Sequence, residues 1–406
     1  MPKATIDSID VSGNRVLMRV DFNVPLEVGA ITDDRRIRMA LPSINSVLER
    51  NGRLILMSHL GRPAGSGYEK EFSLEPCAER LSELLGETCR GRVIFPSHDC
   101  VDADASAAVE HLADGECLLL ENLRFHSAEK KGDEAFAAKL AAYGDIYCNN
   151  AFGTCHREDA SMVAVPEAMR GKHRVAGSLV EKEIRFLSDS LENPERPFVV
   201  VIGGAKVSDK LPAIEHLARK ADHILIGGAM AYTFLKAQGV KVGSSRVEDE
   251  MLEQAKRAIA FASDHDCELH LPTDHVCSTT FDEKTGDNTT FTGDIGEGYM
   301  GLDIGPETRL TFTGVLKDAK TIIWNGPMGV FEWGLFAVGT KQVAEAIAEA
   351  TDRGALSIVG GGDSAAAAGQ FGVDGRLSHV STGGGASLEM LSGHAFKSVE
   401  LLDNAD

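Results

Sequence analysis

The chain has 406 residues, 43% hydrophobic and 25% charged, with 61 acidic against 41 basic side chains and a formal net charge of −20. That length allows two or three domains, each able to bury a core of its own. The acidic balance disfavours nucleic acid and anionic membranes as partners, since both repel a polyanion.

Short apolar runs alternate with amphipathic stretches along the whole chain, the pattern of βαβ units and parallel sheets. In the first half, strands are predicted over 16–22, 53–58, 93–96, 117–121 and 145–149. Pro42 predicts a break or kink in the helix expected over 36–50. Further on, Leu74, Ala78, Leu81, Leu84 and Leu85 share one helical face. The segment 177–192 keeps helical spacing through Leu179, Ile184, Leu187 and Leu191 and ends at Asn193-Pro194, which reads as a helix joining two domains. A second set of strands is predicted over 197–202, 223–227, 268–271, 321–324 and 356–359. The expected fold is therefore α/β: two doubly wound, Rossmann-like parallel-sheet domains facing a central cleft and joined by a helix hinge. The bounds are 1–176, the hinge helix 177–192, 193–389, and a C-terminal segment 390–406.

Polar and cationic residues gather just past the predicted strand ends of the first half. Asp21 and Asn23 follow the first strand, His59 and Arg62 the second, Arg124 the fourth, and His156 and Arg157 the fifth, with Arg36 one short loop after the first. In an open α/β sheet such strand ends converge on one crevice. Converging guanidinium groups call for a multiply charged anion, because Arg suits bidentate phosphate contact and unpaired cations repel. A small phosphorylated acid fits. His59 and His156 read as neutral or cationic anion contacts, not as proton shuttles.

Glycine-rich turns follow the strands of the second half. They are Gly203-Gly204-Ala-Lys206-Val-Ser-Asp-Lys210, Gly227-Gly228, Trp324-Asn-Gly-Pro-Met-Gly-Val-Phe-Glu332, Gly360-Gly361-Gly362-Asp363-Ser364 and Ser381-Thr-Gly383-Gly384-Gly385. Several open into helical sequence, where backbone N–H groups bind phosphate. None has the G-x-x-x-x-G-K-[ST] or G-x-G-x-x-G spacing, which disfavours a P-loop enzyme and an ordinary dinucleotide-binding dehydrogenase. Lys206 and Lys210 are four apart and would share a helix face. Asp363 suits either a Mg²⁺ bridging nucleotide phosphates or an N-cap. Trp324 and Phe331 read as core.

The eight cysteines have no C-x-x-C pair and no zinc-ligand spacing, so free thiols in a reducing compartment are expected. Met-Pro-Lys-Ala-Thr carries no apolar signal region, and no apolar run approaches ~20 residues. A cytoplasmic address follows from these readings.

Together the segments resemble the phosphoglycerate kinase family. Arg19-Val-Asp-Phe-Asn-Val-Pro25, Ser58-His-Leu-Gly-Arg-Pro63, Glu121-Asn-Leu-Arg-Phe-His126, Ala151-Phe-Gly-Thr-Cys-His-Arg157 and the glycine turns of the second half run in the family's order across almost the whole chain. The resemblance implies a monomeric, hinge-bending kinase of glycolysis. Its first domain would take 3-phosphoglycerate or 1,3-bisphosphoglycerate, and its second MgADP or MgATP. By position, Asp21, Asn23, His59, Arg62, Arg124 and Arg157 would contact the phosphoglycerate. Arg36 would act on the transferred phosphoryl group, aided by Lys206 and the N–H groups of Gly383 to Gly385. Lys210 would contact nucleotide phosphates, Gly228 and Gly301 would line the adenine pocket, and Glu332 would meet the ribose. Asp363 with Ser364 would hold the Mg-bound phosphates, beside the turn glycines Gly204, Gly361 and Gly362. Met230, Tyr232 and Phe234 would either wall the adenine pocket or simply pack. Residues 390–406 would return to the first domain.

Asn150, Cys155 and Glu158-Asp159 depart from the family's usual pattern without removing a catalytic group. The implied reaction also fits the residues. Its nucleophile in the ATP-consuming direction is a carboxylate of pKa about 3.5, already ionised at neutral pH, so no general base is required. Another acyl-phosphate kinase, acting on a different carboxylate, is the nearest alternative; it would not need the arginine spacing of the first half.

Overall fold

The computed structural model describes residues 2–284, 288–381 and 383–405. Its chain divides into two units, Met1–Arg185 with Ala395–Asp406, and Phe186–His394.

In the first unit, β1 (Arg15–Val20) leads into a small antiparallel ribbon of β2 (Leu26–Glu27) and β3 (Ala30–Ile31). β4 (Arg53–Met57), β5 (Cys117–Leu119), β6 (Ile146–Asn150) and β7 (Arg174–Ala176) follow. The main sheet has the order β5-β4-β1-β6-β7, every pair parallel. Strand order reverses between β1 and β6, and ligands of doubly wound sheets bind at that switch point. β1 is an almost unbroken apolar run because both faces of a parallel sheet are covered. Val16, Met18 and Val20 pack with Ile37, Ile44 and Val47 of the helix Arg35–Glu49.

That helix runs on through Pro42, so of the break or kink expected there the break does not form. A mid-helix proline costs about 3 kcal/mol. Ile37, Ile44, Val47 and Leu48 are buried on the core face, at about 1.5–3 kcal/mol each, which outweighs it. The strand expected at 93–96 is reduced to a single bridge between Ile94 and Leu118. Val93 N–H donates to Ser82 Oγ at 3.0 Å, and Pro96 has no N–H to give a ladder. β7 was not expected. Its Arg174 donates through both backbone N and Nη2 to Asp403, at 2.9 and 3.0 Å, and Ser398 Oγ donates to the Cys155 carbonyl at 2.7 Å. The C-terminal residues counted with this unit begin at Ala395.

The segment 177–192 forms the helix Ser178–Leu187 and a 3₁₀ turn at Asp189–Leu191. The second unit begins within that helix, at Phe186. Its strands are β8 (Phe198–Ile202), β9 (His223–Ile226), β10 (Glu268–His270), β11 (Asp274–Ser278), β12 (Thr289–Thr292), β13 (Met300–Ile304), β14 (Thr321–Asn325), β15 (Leu356–Val359) and β16 (His379–Val380). The main sheet is parallel, in the order β10-β9-β8-β14-β15-β16, with its switch point between β8 and β14. Trp324 and Phe331 lie in its core with Val199, Val201 and Ile322, as the sequence indicated. The antiparallel sheet β12-β11-β13 was not foreseen. Among the described residues, no helix is long and apolar enough to cross a membrane.

Candidate active site

In the first unit, the loop leaving β1 carries Asp21 and Asn23. Asp21 Oδ2 accepts from Arg36 Nη1 at 2.5 Å, which fixes an arginine in the first turn of the Arg35–Glu49 helix. Asn23 Oδ1 accepts from Gly61 N at 2.8 Å and ties this loop to the one after β4. On that second loop, His59 is buried. Its Nδ1 lies 3.1 Å from Arg19 Nη2. A guanidinium only donates, so Nδ1 accepts and a neutral ring carries its proton on Nε2. Burial holds the His59 pKa well below 6.5, and the charges of Arg19, Arg124, Arg157 and Arg36 push it further down. Four guanidinium groups thus converge on one imidazole.

Arg124 is 5% exposed. Its Nη1 donates to the Gly61 carbonyl at 2.9 Å, and its Nη2 lies 3.6 Å from Asp159. Its Nε is buried without a hydrogen-bond partner. A buried N–H left unpaired costs about 1–3 kcal/mol, a penalty that an incoming anion removes. Arg157 is half-buried, with Nε 3.4 Å from His156 Nε2. Arg62 is exposed on the loop after β4.

Ser161 and Glu129 are contributors that the sequence reading passed over, and Arg19, which stood in it only within the Arg19–Asn23 stretch, is the residue they brace. Glu129 Oε1 accepts from Ser161 Oγ at 2.5 Å, and Ser161 Oγ accepts from Arg19 Nε at 2.8 Å. This buried chain sets the Arg19 guanidinium against His59. A signal was present: an arginine inside the apolar run of β1 survives burial only when paired. The departures lie aside from this chemistry. Asn150 Oδ1 accepts from Leu179 N at 3.0 Å at the start of the next helix. Cys155 is buried, Glu158 is exposed, and the acid paired with Arg124 is Asp159.

In the second unit, a cavity of ≈ 440 Å³ opens beside the switch point. Gly204, Gly228, Gly301, Met300, Leu302, Val330 and Phe281 give it a largely apolar wall, and Glu332 and Asp363 stand among its polar residues. A second recess of ≈ 220 Å³ is lined by four polar side chains, Lys210, Asn325, Asp363 and Ser364, with the turn glycines Gly361, Gly362, Gly384 and Gly385 and the apolar Leu388. Asp363 borders both. An apolar slot joined to a glycine-rich nest matches a base and its phosphates. Gly228 has φ 68°, and a Cβ there would stand 2.6 Å from the Gly204 backbone. At Gly301 a Cβ would fall on the Tyr232 hydroxyl, so Tyr232 floors the cavity from below. Met230 and Phe234 are fully buried. The sequence reading missed the wall residues Phe281, Met300, Leu302 and Val330, because only β13 and its neighbouring loops bring them together.

The shared helix face predicted for Lys206 and Lys210 is not formed. Pro212 sits in the first turn, the helix begins at Leu211, and both lysines belong to the preceding loop. Lys206 is exposed, while Lys210 is partly buried and donates to Asn325 Oδ1. Burial lowers the Lys210 pKa, opposed by Asp363 and Asp209. The N–H of Gly383 is likewise taken, donating to Ser381 Oγ at 3.1 Å. Gly361, with φ 95°, holds the N-cap of the helix Gly362–Gln370, so Asp363 does not. Its exposed carboxylate makes no hydrogen bond or ion pair among the described residues, which fits a cation ligand beside phosphate. Ser364 Oγ is buried and accepts from Gly326 N at 2.5 Å, bracing this turn against the end of β14.

Two doubly wound units, one with converging arginines and the other with an apolar cavity beside a glycine-rich turn, suit a kinase. The family model described as phosphoglycerate kinase matches residues 6–394. Phosphoglycerate kinase of Rhodopirellula baltica is 58% identical over 408 residues, covering 100% of both chains. That of Thermosipho africanus is 51% identical over 405 residues, covering 100% of this chain and 98% of its own. The solved structure of phosphoglycerate kinase from Coxiella burnetii superimposes with a TM-score of 0.89 at 37% identity, covering 98% of each chain. The chain belongs to the phosphoglycerate kinase family.

Proposed function

We propose that the first unit holds 3-phosphoglycerate or 1,3-bisphosphoglycerate at Asp21, Asn23, Arg36, His59, Arg62, Arg124, His156 and Arg157. The second unit holds ADP or ATP between its apolar slot and its polar nest. The reaction is reversible phosphoryl transfer from the acyl phosphate of 1,3-bisphosphoglycerate to ADP, giving 3-phosphoglycerate and ATP. The observation that carries this reading is the convergence of four guanidinium groups around His59.

The attacking carboxylate is ionised without help, so the protein's task is positioning and charge cancellation. Two like unit charges 4 Å apart repel by about 4 kcal/mol at an effective dielectric of 20. Arg36, aimed by Asp21, offsets that repulsion at the transferred group, joined by Lys206 and the N–H groups of Gly384 and Gly385. His59 donates from Nε2 and takes no proton, since its basic nitrogen already faces Arg19. Asp363 would hold Mg²⁺, which supplies further neutralisation of the nucleotide phosphates. Bending about 177–192 would bring the substrates together and exclude water, protecting the acyl phosphate from hydrolysis. Eight buried free cysteines support a cytoplasmic setting.

The direct test is a coupled assay of the purified chain with MgATP and 3-phosphoglycerate. ADP release dependent on 3-phosphoglycerate is expected. Release with acetate or aspartate in its place, and none with 3-phosphoglycerate, would hand the function to another acyl-phosphate kinase.

A further inference from the structure

The second unit carries a group of ligand atoms that phosphoryl transfer does not use. His223 opens β9, and Glu268 and His270 lie on β10, the three-residue edge strand that pairs with β9 alone in this sheet. Parallel register sets Glu268 directly beside His223. His270 comes two residues later, so strand alternation returns it to the same face. His223 Nδ1 and His270 Nε2 are 3.2 Å apart, and Glu268 Oε2 lies 3.4 Å from the first and 3.7 Å from the second.

We propose that His223, Glu268 and His270 form a binding site for a divalent transition metal, Zn²⁺ being the best fit, that clips edge strand β10 to β9. Tetrahedral zinc with Zn–N of about 2.0–2.1 Å holds its donor atoms about 3.3–3.5 Å apart, and the separations of 3.2, 3.4 and 3.7 Å need shifts of only a few tenths of an ångström to match. Two imidazoles and one carboxylate suit zinc, whereas Mg²⁺ prefers oxygen ligands. A fourth position is left for water, because Glu268 stands on the exposed side of the group. The two facing nitrogens share one proton; on binding, that proton moves to the remote nitrogen of its own ring, leaving both lone pairs for the ion. His223 and Glu268 open β9 and β10, and His270 closes the short β10. Gly228 and the nucleotide cavity lie past the C-terminal end of β9, so the ion would fix the strand edge and take no part in transfer.

A second group, Asp99, Cys100 and His126 in the first unit, has the same ligand count. It is the weaker candidate. Burial holds the Cys100 thiol well above its usual pKa, and His126 is already bonded to Asp99 at 3.1 Å.

The experiment titrates the metal-free full-length protein with Zn²⁺ by calorimetry and with Co²⁺ by visible absorption, in parallel with Glu268→Gln, His223→Gln and His270→Ala. About one ion per chain is expected, with the spectrum of a tetrahedral nitrogen–oxygen centre and a raised melting temperature. Each substitution should weaken binding by on the order of tenfold or more, with Mg-dependent kinase activity unchanged. Glu268 is exposed, so Glu268→Gln keeps the comparison valid if His270→Ala fails to fold. The proposal falls if no saturable ion binds, if Glu268→Gln and His223→Gln bind as tightly as the parent, or if thiolate charge-transfer bands or loss of binding in His126→Ala place the ion in the first unit.

Discussion

In the first unit the proposed anion site is built from side-chain cations, each held by a partner: Arg36 by Asp21, Arg124 by Gly61 and Asp159, Arg19 by Ser161. In the second unit the corresponding site is built from backbone and absence, with glycines at Gly228, Gly301 and Gly361 clearing space. The difference follows from the ligands proposed for each. A compact phosphorylated acid has charge at both ends and little surface, so it must be gripped by charge. A nucleotide offers a flat apolar base to a slot and phosphates to helix N–H groups, so shape carries more of the recognition. The two units accordingly fail in different ways. Removing charge should damage the first, and adding atoms should damage the second.

The largest effect expected from removing charge is at Arg36. Arg36→Ala should lower kcat by on the order of 10³ in steady-state assays, leaving the KM for MgATP nearly unchanged. A change in phosphoglycerate KM alone would demote Arg36 to an anchor. Adding atoms is tested by Gly228→Ala, whose Cβ meets the Gly204 backbone at φ 68°. The KM for MgATP should rise about tenfold or more, since overpacking costs about 1–3 kcal/mol, with phosphoglycerate KM held. Arg62→Ala deletes an exposed cation and should raise phosphoglycerate KM by about tenfold at unchanged kcat, one charged hydrogen bond being worth about 1.5–3 kcal/mol.

The smallest effect separates the units by pH. Burial raises the Asp303 pKa to about 7, against backbone donors at Ile304 and Gly339. The unfolded carboxyl ionises near 3.8, so between these values the folded state binds more protons. Its contribution to stability is present below that range and is lost as pH rises to about 7. His59 acts in the opposite sense: its folded pKa lies below 6.5, so its contribution is lost as pH falls below that value. Asp303→Asn cannot ionise and should flatten the fall in melting temperature between about pH 4 and 7 by about 2–4 °C, read by calorimetry. An unchanged pH profile would show that Asp303 is ionised throughout.

The same contrast explains what could be read from the sequence. Charged residues past apolar runs were legible because the period of a strand marks where it ends, and Asp21, Arg36, His59 and Arg124 are brought together as those ends required. Arg19 was visible as a charge but not as a brace, because Ser161 and Glu129 come from distant loops. Glycine turns announced a phosphate nest without saying which N–H groups stay free, and Ser381 takes that of Gly383. The sheet of β11, β12 and β13 left little trace, since Asp274-His-Val-Cys-Ser and Thr289-Thr-Phe-Thr are short and mostly polar. Pro42 did not end its helix because local propensity yielded to four buried apolar side chains on the same helix.

The division of labour is tested most directly by calorimetric titration of 3-phosphoglycerate and MgADP into Arg124→Ala and Gly228→Ala, four titrations read as one crossed measurement. Arg124→Ala should lose 3-phosphoglycerate and keep MgADP, and Gly228→Ala should do the reverse. Loss of both ligands in either folded variant, or 3-phosphoglycerate binding as tightly without Arg124, would contradict separate sites for acid and nucleotide.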